Sequence, residues 1–95
     1  MSNPKTIAEL ASKMMACLEH AAPEWKVSWD TDAGGASVGF DAEVLVADGE
    51  VIRFSHTIES FVLASYHPAM YPAHAEAIVG RWRDKLRQWK KDNGR

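Results

Sequence analysis

The chain has a single cysteine, Cys17, in 95 residues. It can form no internal disulfide and no cluster of thiolate metal ligands. The one adjacent glycine pair, Gly34-Gly35, stands alone. No P-loop, dinucleotide-binding glycine pattern or Gly-x-Ser-x-Gly elbow occurs, which excludes the usual phosphate cradles and strained nucleophile turns. No apolar run approaches the roughly 20 residues needed to span a bilayer. The opening residues, Met1 to Thr6, lack the basic-then-apolar order of a secretory signal. A reducing cytoplasmic setting is therefore the expectation, with Cys17 as a small buried hydrophobe.

Histidines are few and badly spaced for metal. His20, His56, His67 and His74 contain no i,i+4 pair and no His-Glu-x-x-His pattern. Zinc needs three or four converging ligands, so no metal site is expected. His67 and His74 flank Tyr71, with Ser65 and Glu76 close in sequence. Nothing in that spacing forces a nucleophile, a base and an orienting group together. The reading is a non-enzymatic chain without a cofactor.

What is present suits one ordinary globular domain, residues 1–95. Apolar residues make up 46% and charged residues 25%, far from the composition of disorder. A chain this long buries roughly two-thirds of its unfolded surface, enough for one core and little cavity. The net charge of −2 conceals a division. Residues 24–60 hold eight acids against two bases, and residues 81–95 hold seven bases against two acids.

Periodicity supplies the elements. Asn3-Pro4, or Thr6 with Glu9 in a capping box, opens a helix. Ile7, Leu10, Ala11, Met14, Cys17, Leu18 and Ala21 fall on one of its faces, and Pro23 ends it. Trp25, Val27 and Trp29 alternate with Lys26, Ser28 and Asp30, as in a half-buried strand. Residues 30–36 read as a turn. Val38, Phe40, Ala42, Val44 and Val46 then alternate with Gly39, Asp41 and Glu43, and Ile52, Phe54, His56 and Ile58 share one face of a further strand.

The register between the last two strands follows from the Asp48-Gly49 turn. A two-residue loop would set Val44 against Arg53, apolar against polar. A three-residue loop with Gly49 left-handed pairs Val44 with Ile52, Ala42 with Phe54, Phe40 with His56 and Glu43 with Arg53. Residues 58–66 fit either a fourth strand or a short helix capped by Thr57, and the reading leans to a short helix or irregular segment. Residues 66–73 form a loop with two prolines. Ala75, Ile78, Val79, Trp82, Leu86 and Trp89 mark the apolar stripe of a final helix, closed by Asp92-Asn93-Gly94.

The predicted fold is α+β: an N-terminal helix, a three-stranded antiparallel meander (four-stranded if 58–66 joins it) and a C-terminal helix. Both helices lie on one sheet face. The order is similar in outline to the double-stranded-RNA-binding domain. That family opens its last helix with a lysine cluster, where this chain has Ala73, His74, Ala75 and Glu76, so the likeness is confined to topology.

Three surfaces remain for function. Asp30, Asp32, Asp41, Glu43, Asp48 and Glu50 are expected on the outer sheet face and its turns, where they would steer a basic protein. Tyr66, Met70 and Tyr71 in the proline-flanked loop either resemble interface anchors or fold back to cap the core. The basic last helix offers an alternative, nucleic-acid binding through Arg83, Arg87, Lys90 and Lys91, with Arg81 and Lys85 on the other flank. The preferred expectation is a protein-binding module. Its size and charge division are similar in type to phage and mobile-element inhibitors, such as the anti-CRISPR proteins, and its partner would be a basic nucleic-acid-binding complex. Trp82 and Trp89 serve either the core or a homodimer seam.

Overall fold

A computed structural model describes residues 6–47 and 49–94. The Asn3-Pro4 cap, Asp48 and Arg95 lie outside the described residues. Helix α1 (Ile7–Ala21) is followed by strands β1 (Lys26–Thr31), β2 (Ser37–Ala47) and β3 (Glu50–Glu59). Helix α2 (Ser60–Ser65), a 3₁₀ turn (Pro68–Met70) and helix α3 (Tyr71–Asp92) complete the fold. The strands form one antiparallel sheet in the order β1-β2-β3, as the α+β reading predicts.

Helix α1 starts where Thr6 Oγ1 accepts the Glu9 N–H at 3.2 Å, satisfying one of the backbone donors that a helix start leaves open. Its apolar stripe buries Leu10, Ala11, Met14 and Leu18. Glu9, Ser12, Lys13, Ala16 and His20 stay exposed.

The strand register is the one deduced, but the turn differs: Ala47 pairs with Glu50, and an irregularity between Leu45 and Ala47 takes up the extra residue. Val44 faces Ile52, Ala42 faces Phe54, Phe40 faces His56 and Glu43 faces Arg53. Gly49 adopts φ +79°, a left-handed conformation that costs glycine nothing. Strand β1 pairs only with Val38–Glu43 of β2. Beyond that point the hairpin continues as a two-stranded ribbon, in a molecule 56 Å along its longest axis.

Residues 58–66 divide between two elements. Strand β3 runs to Glu59 and α2 begins at Ser60. Thr57 is no cap, since it pairs with Gly39 inside the sheet. The chain turns here without glycine or proline because Ser60 is anchored to the β1–β2 turn. Its N–H donates to Ala36 O at 2.8 Å, and its hydroxyl donates to Gly35 O at 2.5 Å.

Along α3 the stripe buries Ala75, Ile78, Val79 and Trp82, together with Tyr71 at its start. Leu86 and Trp89 are only half-buried. The buried faces of both helices join Val27, Val38, Phe40, Ala42, Val44 and Ile58 in a single core. Phe40, Met14, Leu18 and Trp82 are its largest fully buried side chains, and burial of each contributes on the order of 1.5–3 kcal/mol. The opposite sheet face keeps Lys26, Ser28, Asp30, Arg53, Ser55 and Thr57 exposed. Both helices thus cover the same side.

Candidate functional site

Alternation in the strands builds the uncovered face in cross-strand rows. Lys26, Glu43 and Arg53 form one row and Ser28, Asp41 and Ser55 the next. Arg53 reaches Glu43 at 2.8 Å, and the Ser55 hydroxyl donates to Asp41 at 2.5 Å. Asp30 accepts the Thr31 N–H at 2.8 Å. At the ribbon end Leu45 and Val51 sit opposite one another. They are 71% and 53% exposed, a cross-strand apolar pair beside the Glu43–Arg53 ion pair.

The acidic residues do not gather as a single patch. Asp30, Asp41 and Glu43 lie on the outer face, joined there by Glu59, against Lys26 and Arg53. Asp32 belongs to the β1–β2 turn, where its carboxylate accepts the Ala36 N–H at 2.8 Å and the Ser37 hydroxyl at 3.4 Å. Glu50 lies at the other end of the sheet. The length of β2 separates these ends by about 33 Å. The acidic residues are thus spread over the outer face and its turns, with Asp32 remote from Glu50.

In the aromatic loop the anchor reading is corrected. Tyr71 is 2% exposed, and its hydroxyl donates to Leu63 O at 3.1 Å. Burial, with Cys17 and Tyr66 nearby, holds its phenol above the ordinary range. Tyr66 is half-buried, stacked on His74 with centroids 3.9 Å apart and edge-on to Tyr71 at 6.3 Å. Of the three loop residues only Met70 remains exposed, with Phe61 of α2 an unforeseen second apolar side chain in solvent.

Leu45 and Val51 are the residues that the sequence reading passed over. Their signal was available. Odd positions of β2 and β3 point away from the core, so the register that pairs Glu43 with Arg53 also sets Leu45 against Val51 on the outer side.

The cations of α3 divide. Arg83 is drawn inward: it pairs with Glu24 at 2.8 Å, donates to Ala21 O at 3.3 Å and lies over the Trp25 ring. A backbone hydrogen bond and Arg83 together hold the Glu24 carboxyl below the usual range. Arg87 pairs with Asp84. His56, half-buried on the core side of β3, has its pKa lowered by burial and by Arg81 and Lys85.

A groove of about 290 Å³ runs between α1 and the start of α3, lined by Ala16, Cys17, His20, Ala21, Pro72 and Glu76. Cys17 is therefore half-exposed at a groove wall rather than fully buried, because α3 crosses α1 without covering this turn. Among the described residues no three His, Cys, Asp or Glu side chains converge to hold a metal ion, and no helix is long and apolar enough to cross a membrane. No protein-family model matches the chain, and neither the curated proteins nor the solved structures contain a match to it.

Proposed function

We propose that the chain is a non-enzymatic protein-binding module that docks through the outer face of its sheet. The carrying observation is the exposed Leu45–Val51 pair, set beside Glu43–Arg53 on a face that neither helix covers. Apolar side chains beside charged ones are a common feature of protein interfaces. Covering it returns roughly 25 cal/mol for each Å² of apolar surface removed from water.

The partner is a protein with a basic surface, since the outer face sets Asp30, Asp41, Glu43 and Glu59 against Lys26 and Arg53. In the inhibitor version of this reading, similar in type to anti-CRISPR proteins, that surface is the groove of a cytoplasmic nucleic-acid-binding complex. The charge division supports that version.

Affinity capture from a native-host lysate tests the proposal, using the wild-type chain, Leu45→Glu/Val51→Glu and Asp41→Lys/Glu43→Lys. The expected result is one basic protein retained by wild type and lost with the first variant. With the second variant it should bind more weakly and with less dependence on salt. Equal retention by all three proteins, or by none, overturns the reading.

A further inference from the structure

Core burial along α3 stops at Trp82, and every residue from Arg83 to Gly94 is half-buried or exposed. This stretch has five cations, Arg83, Lys85, Arg87, Lys90 and Lys91, against Asp84 and Asp92. Lys90 and Lys91 are exposed and make no ion pair among the described residues. At 100° per residue, Lys90, Arg87 and Lys91 fall within roughly 100° of arc and about 6 Å of helix axis. Leu86 turns the other way and packs against the core, and Trp89 is half-buried.

We infer that this end of α3 binds the phosphate backbone of duplex nucleic acid, without reading its sequence, through Arg87, Lys90 and Lys91. Charge complementarity identifies the occupant. The flank carries point charges at a spacing that suits successive phosphates, and phosphate contacts are the sequence-independent part of nucleic-acid binding. It has no outward apolar side chain to insert into a bilayer, as an interfacial helix needs. It also lacks the buried anchor around which protein interfaces are built. Two carboxylates temper the charge: Asp84 pairs with Arg87, and Asp92 accepts from Gln88 at 2.8 Å. Two to three phosphates are therefore neutralised, and the site is weak. The outer sheet face takes no part, so the inference stands independently of the docking proposal.

The test is a fluorescence-anisotropy titration of a short mixed-sequence DNA duplex at several salt concentrations. Binding should fall with log salt at a slope of about −2 to −3. Arg87→Gln/Lys90→Gln/Lys91→Gln, whose fold is checked by circular dichroism, should lose at least about tenfold in affinity. Leu45→Glu/Val51→Glu should bind the duplex as wild type does. Absence of salt-dependent binding overturns the inference, as does unchanged binding by the triple variant. Binding to phosphatidylserine vesicles without binding to the duplex overturns it too, in favour of a membrane surface.

Discussion

The guanidinium carbon of Arg83 lies 4.8 Å from the centroid of the Trp25 ring. The same group reaches Glu24 and the carbonyl of Ala21 at the end of α1. One side chain of α3 thus ties down the chain between α1 and β1. Trp25 in turn meets Phe54 of β3 and Trp82 of α3, with ring centroids 6.2 and 6.4 Å away.

Arg83→Ala removes a cation–π contact and a charge-assisted hydrogen bond at a helix C-terminus. It should lower unfolding stability by about 1–2 kcal/mol. Arg83→Lys should recover part of that loss, because lysine keeps the charge but lacks the flat face. Urea denaturation followed by tryptophan emission gives both values. A wild-type midpoint in the alanine variant would refute the role.

His56 faces two cations of α3, Arg81 and Lys85, from a half-buried position on β3. Its folded pKa lies below the ordinary 6.5, so the unfolded chain takes up the proton first. The stability attached to neutral His56 is fully present above the unfolded pKa. It is lost as pH falls below about 6.5, until the folded pKa is passed. Denaturation midpoints measured between pH 7.5 and 5 should decline, and His56→Gln should flatten the decline over that window. An unchanged slope in the glutamine variant would assign it to other groups.

Gly34 and Gly35 are adjacent in the β1–β2 turn yet should respond differently to alanine. A Cβ at either position meets no heavy atom within 4 Å, so packing does not separate them. Gly35 holds φ +69°, where an L side chain costs on the order of 1 kcal/mol. Gly35→Ala should lower thermal stability by that amount. Gly34→Ala should be neutral or slightly stabilising, through a less flexible unfolded chain. Equal shifts for the two variants would contradict this backbone account.

Much of the fold was legible because local rules agreed with one another. Thr6 and Glu9, the α1 stripe and the alternation around Phe40 each pointed to the observed element. Gly49 then selected the only register that keeps Phe54 and Ile52 on the core side. The α2 segment was less clear, since the turn at Ser60 is made by hydrogen bonds to Ala36 and Gly35, contacts distant in sequence. The same limit applies to the surfaces. Composition marks Tyr71 and Arg83 as contact residues, yet tertiary packing takes the first into the core and the second onto Trp25 and Glu24. Asp32 and Glu50 belong to the same acidic stretch of sequence but stand at opposite ends of β2.

Strand β1 stops short of the ribbon that carries Leu45 and Val51. Two-stranded segments twist more readily than three-stranded ones. The ribbon can therefore change its pitch without prying Phe40 or Trp82 from their neighbours. Fitting the curve of another molecule would draw on the most compliant part of the architecture and leave the packed interior at rest.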